Sequence, residues 1–147
     1  MTGDEASPLD DSRDTAPVDF DRLDRIRERL GNDDRFVDVT ADPDYAPSRL
    51  VLDYDEGLYP PTVAEARLEI VWYENNDFSI HYHERQQEGT FDHRWDRHPS
   101  THNDREHVHP GPDAPTPGSD TEFPADWRDV LATVLREIEE RQRAFWS

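Results

Sequence analysis

Ala66-Arg67-Leu68-Glu69-Ile70-Val71-Trp72-Tyr73, then Asn75-Asn76-Asp77, then Phe78-Ser79-Ile80-His81-Tyr82-His83, is the stretch that decides the fold. Ala66, Leu68, Ile70 and Trp72 alternate with Arg67, Glu69, Val71 and Tyr73, the period of two that a strand with one covered face requires. Asn75-Asn76-Asp77 makes a turn, and Phe78, Ile80 and Tyr82 then alternate with Ser79, His81 and His83. Gln86-Gln87-Glu88-Gly89 turns the chain again, and Phe91, His93 and Trp95 alternate with Asp92, Arg94 and Asp96. Three neighbouring strands with short connections predict an antiparallel meander, apolar on one side and polar on the other.

Upstream, Arg49-Leu50-Val51-Leu52-Asp53-Tyr54 reads as a further strand, and Phe36-Val37-Asp38-Val39 as a short one. Before them, Asp19 stands as an N-cap to Phe20, Leu23, Ile26 and Leu30, whose spacing predicts a short amphipathic helix stopped at Gly31. Its charged side, with Arg22, Arg25 and Glu28, reads as a solvated face. Downstream, Trp127, Val130, Leu131, Val134, Leu135 and Ile138 form one apolar stripe behind Asp126 and Asp129. This predicts a long C-terminal helix with its acids at the positive pole. A stripe that wide needs a surface to cover, and the apolar side of the sheet supplies one. The expected fold is therefore α+β: an antiparallel sheet of four to five strands, a short N-terminal helix, and a long C-terminal helix packed on one face. Residues 1–17 read as a flexible acidic leader and 18–147 as a single domain, with 98–123 a loop rich in histidine and proline.

The 147 residues suit one domain, and 35% of them are charged against 33% hydrophobic. The net charge is −19, and all 16 basic residues are arginine. Dense carboxylate with no lysine predicts a halophilic, cytoplasmic protein, since molar salt screens the repulsion between its acids. The charge does not exclude nucleic acid as a partner, because the screening length falls to ~3 Å in 1 M salt. Cysteine is absent, which excludes disulfides, thiolate metal sites and cysteine catalysis. No apolar run approaches the ~18 residues of a membrane span, and no signal sequence is apparent, so a soluble protein with no membrane contact is expected.

Five of the seven histidines lie between His93 and His109, and the other two, His81 and His83, come just before them. If Phe78, Ile80 and Tyr82 face the helix, His81 and His83 share the opposite face with Asp92, Arg94 and Asp96, while His93 turns toward the core. Imidazole exchanges protons near neutral pH, and arginine offers a planar fork of donors to phosphate oxygens. Together they meet the needs of metal-independent RNA cleavage, in which one histidine takes the 2′-hydroxyl proton and another protonates the leaving oxygen. A second chemistry is also open. His107-Val108-His109 and His81-Tyr82-His83 each place two imidazoles on one side of an extended segment, a pattern that suits a divalent metal. A non-catalytic interaction protein, with the loop as a docking surface, is the third reading.

Arg94-Trp95-Asp96-Arg97-His98-Pro99, then His102, then His107-Val108-His109 ahead of the helix from Trp127, resembles the TumE-like toxins of type II toxin–antitoxin modules. In that family a strand ending in Arg-x-Asp is followed by a loop with histidine and proline, a closing His-x-His and a C-terminal amphipathic helix. The likeness covers about Ala66 to Trp146. It departs from the pattern at Ser100-Thr101, where a paired histidine is expected, and at Arg105, where a lysine is expected. The leader and first helix have no counterpart.

The resemblance implies a growth-inhibiting protein acting on RNA, neutralised by a cognate DNA-binding antitoxin. It implies catalytic roles for Arg94, Asp96, His98, His102, His107 and His109, with no cofactor and no metal. The histidines supply acid and base, Arg94 holds phosphate and Asp96 orients a histidine or Arg97. Arg97, Arg105, His81 and His83 are expected to bind the substrate.

Overall fold

The fold comes from a computed structural model that describes residues 16–99 and 104–147. Along the chain run α1 (Phe20–Leu30), β1 (Phe36–Asp42), β2 (Arg49–Tyr54), β3 (Val63–Trp72), β4 (Phe78–Gln86), β5 (Thr90–Arg97), β6 (Glu106–His109), β7 (Ser119–Asp120) and α2 (Trp127–Ala144). The strands form one sheet in which each pairs antiparallel with its neighbour in sequence, β1 through β7. The fold class is α+β as expected, but the sheet has seven strands rather than four to five.

The additional strands come from the segment expected to be a loop throughout. Prolines bracket Glu106-His107-Val108-His109 but do not enter it, so these four residues keep every backbone donor and pair with Arg94 to Arg97. β7 is two residues long and closes the edge of the sheet against His107 and Val108. Where β6 ends, the segment from Pro110 to Gly118 runs on as a strap along the part of β5 that β6 leaves unpaired. The Asp92 amide donates to the Pro112 carbonyl at 2.7 Å, and Asp113 makes a parallel bridge to Asp92.

Side-chain alternation sends Leu50, Leu52, Leu68, Ile70, Trp72, Phe78, Ile80, Tyr82 and Trp95 to one face, where all are buried. Both helices cover that face. α1 lies over β1 to β3 and buries Leu23, Ile26 and Leu30. α2 buries its whole expected stripe, and Trp127 at its start receives the guanidinium groups of Arg22 and Arg29 from α1. Asp19 and Asp126 cap the two helices by accepting the Arg22 and Arg128 amides. Of the expected leader, residues 1–15 lie outside the described residues. The Pro17 carbonyl is tied to the end of β3 by the Glu74 amide at 2.9 Å.

One polar network interrupts the apolar face. Glu84, fully buried on β4, receives Arg141 of α2 through two bonds of 2.7 and 2.8 Å and a hydrogen bond from Tyr82. The Tyr82 hydroxyl meets that of Tyr59 at 2.8 Å, and Gln142 donates to Tyr59 at 2.7 Å. The charge pair thus fixes where α2 lies along the sheet.

Candidate functional site

The face turned away from the helices carries the described histidines other than His93, because the alternation that buries Ile80, Tyr82 and Trp95 turns their neighbours outward. Register then decides which meet. His83 stands opposite Asp92, His81 opposite Arg94, and Ser79 opposite Asp96 across β4 and β5. Across β5 and β6, Arg94 faces His109 and Asp96 faces His107. Two clusters result, with Arg94 between them.

The first cluster is built on Asp92. One of its carboxylate oxygens lies 2.8 Å from His81 Nε2 and 2.7 Å from His83 Nδ1, the lengths of charge-assisted hydrogen bonds. Burial works to raise the Asp92 pKa, but the bonds from His83 and His81 outweigh it and hold the carboxyl below its ordinary value. The two rings use different nitrogens for this contact. His81 Nδ1 and His83 Nε2 are therefore left for other partners. The His81 side chain is 35% exposed, enough for a ligand to reach it.

The second cluster is built on Asp96, which is fully buried. Its Oδ1 accepts the Ser79 hydroxyl at 2.8 Å, and its Oδ2 receives Arg94 Nε at 3.1 Å. The Nε2 atoms of His98, His107 and His109 converge on that same Oδ2 at 3.3, 3.5 and 3.2 Å. The opposite nitrogen of each ring faces a backbone carbonyl: His98 Nδ1 that of Pro99 at 2.8 Å, His107 Nδ1 that of Asp104 at 2.9 Å, and His109 Nδ1 that of Pro115 at 2.7 Å. Burial, the largest influence, raises the Asp96 pKa. The contacts with His107, His109 and His98 and the charge of Arg94 together overcome it, holding the carboxyl far below the ordinary range. For His98, burial favours the neutral ring, but Asp96 and the Pro99 carbonyl reverse this and raise its pKa.

Of the residues expected in catalysis, the fold gathers Arg94, Asp96, His98, His107 and His109; His102 lies outside the described residues. His107 and His109 are 1% and 3% exposed with both ring nitrogens engaged, a geometry for holding Asp96 and the loops rather than for meeting a phosphodiester. Asp96 orients three histidines, and Arg97 is not among its partners. The residues expected to bind substrate divide. His81 and His83 border Arg94 on the open face.

Arg97 points to the opposite face, where Phe78 lies under its guanidinium, and it bonds Glu106 at 2.9 Å and the Asn76 carbonyl at 3.0 Å. Arg105 pairs with buried Asp77 at the end of the sheet. Two residues not singled out from the sequence belong to the site, Ser79 and Asp92. Both face a site residue in the β4–β5 register, which the four-residue turn Gln86-Gln87-Glu88-Gly89, with Gly89 at φ 92°, fixes.

Among the described residues no helix is long and apolar enough to cross a membrane. A family model described as Toxin TumE matches residues 22–142. The match thus takes in most of α1, which the resemblance read from the sequence left without a counterpart, and β1 and β2, which lie outside the stretch from about Ala66 to Trp146 that it covered. No curated protein matches, and no solved structure matches.

Proposed function

We propose, since the chain belongs to the TumE toxin family, that it is the toxin of a two-component module, restrained by a DNA-binding antitoxin and acting on RNA by imidazole acid–base chemistry. The observation that carries this reading is the open half of the outer face. His81 and His83 share one oxygen of Asp92, and Arg94 stands directly opposite His81 with its side chain 38% exposed. Asp92 orients both rings. One ring, neutral, takes the 2′-hydroxyl proton as that oxygen attacks phosphorus. The other, protonated, gives its proton to the departing 5′ oxygen, and a 2′,3′-cyclic phosphate remains. Arg94 Nε is held by Asp96, and its terminal nitrogens have no partner among the described residues. They serve the charge that builds on the phosphoryl oxygens. In this scheme Asp96 and the buried histidines hold Arg94 in place.

The full-length protein incubated with RNA is expected to give fragments ending in cyclic phosphate and to leave DNA of the same sequence intact, because the attack needs the 2′-hydroxyl. His81→Ala and Asp92→Asn are each expected to lower the rate by ~10²-fold or more, with an unchanged circular dichroism spectrum. Cleavage of both nucleic acids to 5′-phosphate ends would replace this mechanism with hydrolysis by an activated water. An intact RNA pool during growth arrest would remove RNA as the target.

A further inference from the structure

We propose that Asp96, His98 and His107 form a site for one divalent transition metal of the zinc type, which ties the start of β6 to the end of β5.

The first support is the direction of the lone pairs. A carbonyl oxygen only accepts, so Pro99, Asp104 and Pro115 each require a proton on the Nδ1 they face. Each neutral ring then aims the lone pair of Nε2 at Asp96 Oδ2, itself an acceptor. Three nitrogen lone pairs and a carboxylate oxygen meeting where water is nearly excluded require something electropositive between them. Protons on all three rings, beside Arg94, would leave several like charges around one carboxylate. A single cation bound by the neutral rings of His98 and His107 answers their lone pairs and the carboxylate oxygen at once.

The distances point the same way. Contacts of 3.2, 3.3 and 3.5 Å from Asp96 Oδ2 are long for charge-assisted hydrogen bonds, which run at ~2.7–2.9 Å. Those of His98 and His107 match two edges of a coordination tetrahedron: ligands ~2.0–2.1 Å from zinc lie roughly 3.3 Å from one another. The Asp92 cluster provides the contrast, since its contacts of 2.7 and 2.8 Å are ordinary hydrogen bonds. Ligand atoms of Asp96, His98 and His107 all lie within 4.8 Å of one another; His109, whose Nε2 also lies 3.2 Å from Asp96, stands outside that group.

The surroundings fit a metal as well. Rings that bind a metal through one nitrogen commonly donate the other N–H to a carbonyl, and the Nδ1 atoms of His98 and His107 each face one here. Ser79 holds the second oxygen of Asp96, which leaves Oδ2 as the ligand atom. Two imidazoles and one carboxylate are donors that zinc takes with a fourth position left open, and Asp96 and His107 are buried. The carbonyls facing the His98 and His107 rings, of Pro99 and Asp104, both precede β6, so binding would fix the end of β5 to the start of β6.

The test uses the tag-free, full-length chain and reads binding rather than cleavage, so it stands or falls apart from RNA chemistry. Protein purified without chelator is expected to carry one equivalent of zinc. After chelator dialysis it is expected to take up one equivalent of Co²⁺ with the visible bands of a tetrahedral centre. Zinc is expected to raise the melting temperature of the dialysed chain. His98→Ala, at the most exposed ligand, is expected to weaken zinc binding at least ~tenfold while the fold persists. Asp96→Asn should do the same, and His81→Ala and Asp92→Asn should leave binding unchanged. If His107→Ala does not fold, the His98→Ala titration decides. A folded wild-type chain that takes up neither ion would overturn the site, as would binding that survives His98→Ala but is lost in Asp92→Asn.

Discussion

His93 shows how one turn of a strand separates residues of the same type. Its ring packs tilted against Trp95, centroids 4.4 Å apart, and accepts the Gly111 amide at 3.0 Å, on the helix side of the sheet, while the histidines of β4 and β6 face outward. Burial, then the charges of Arg141 and His109, push its pKa down to about 4. An unfolded histidine titrates near ~6.5. The folded chain therefore refuses a proton that the unfolded chain takes up between these values, and stability falls as pH drops from 6.5 toward 4, by as much as about 3 kcal/mol. His93→Gln keeps an acceptor for Gly111 and removes the titration. Urea midpoints measured at pH 7 and pH 4.5 are expected to differ less in this variant than in the wild type. The orientation of His93 was legible from Phe91 and Trp95 on either side, and the same alternation puts Arg97 on the inner face. Asp92 and Ser79 were not legible as site residues. Which residue faces which across two strands depends on the register, and alternation alone leaves the register open.

At the scale of elements, the three central strands and both helices could be read from their periods because each buries one regular face. β6 and β7 could not. Four residues of β6 and two of β7 are too short for a period to emerge, and the surrounding prolines mask them. What makes β6 a strand is pairing with β5, a tertiary fact. The placement of α2 depends in turn on the pair between Glu84 and Arg141, since Glu84 is fully buried and its charge has no access to water. Arg141→Met keeps an unbranched apolar stem but strands the carboxylate, and is expected to cost about 3 kcal/mol in chemical denaturation. The double variant with Glu84→Gln is expected to recover part of that loss, which a purely steric effect of the methionine would not allow.

For the whole molecule, a net charge of −19 with arginine as the only strong base governs behaviour in salt. Screening of that surface is expected to raise the melting temperature steadily from 0.1 M to 2 M potassium chloride, where the screening length falls from ~10 Å to below ~3 Å. A flat or falling curve in calorimetry would mean that the acids are already balanced by local pairs.

The order of the strands has a temporal consequence. Every group of both histidine clusters is carried by β4, β5, β6 and the segments beside them, all of which leave the ribosome before α2. Until Trp127, Val130, Val134 and Ile138 follow, the other side of the sheet has only α1 over β1 to β3, and its core is incomplete. A nascent chain can thus hold every chemical group of both clusters before the sheet beneath them is fully covered, with its maturation timed by the synthesis of a helix that touches none of them.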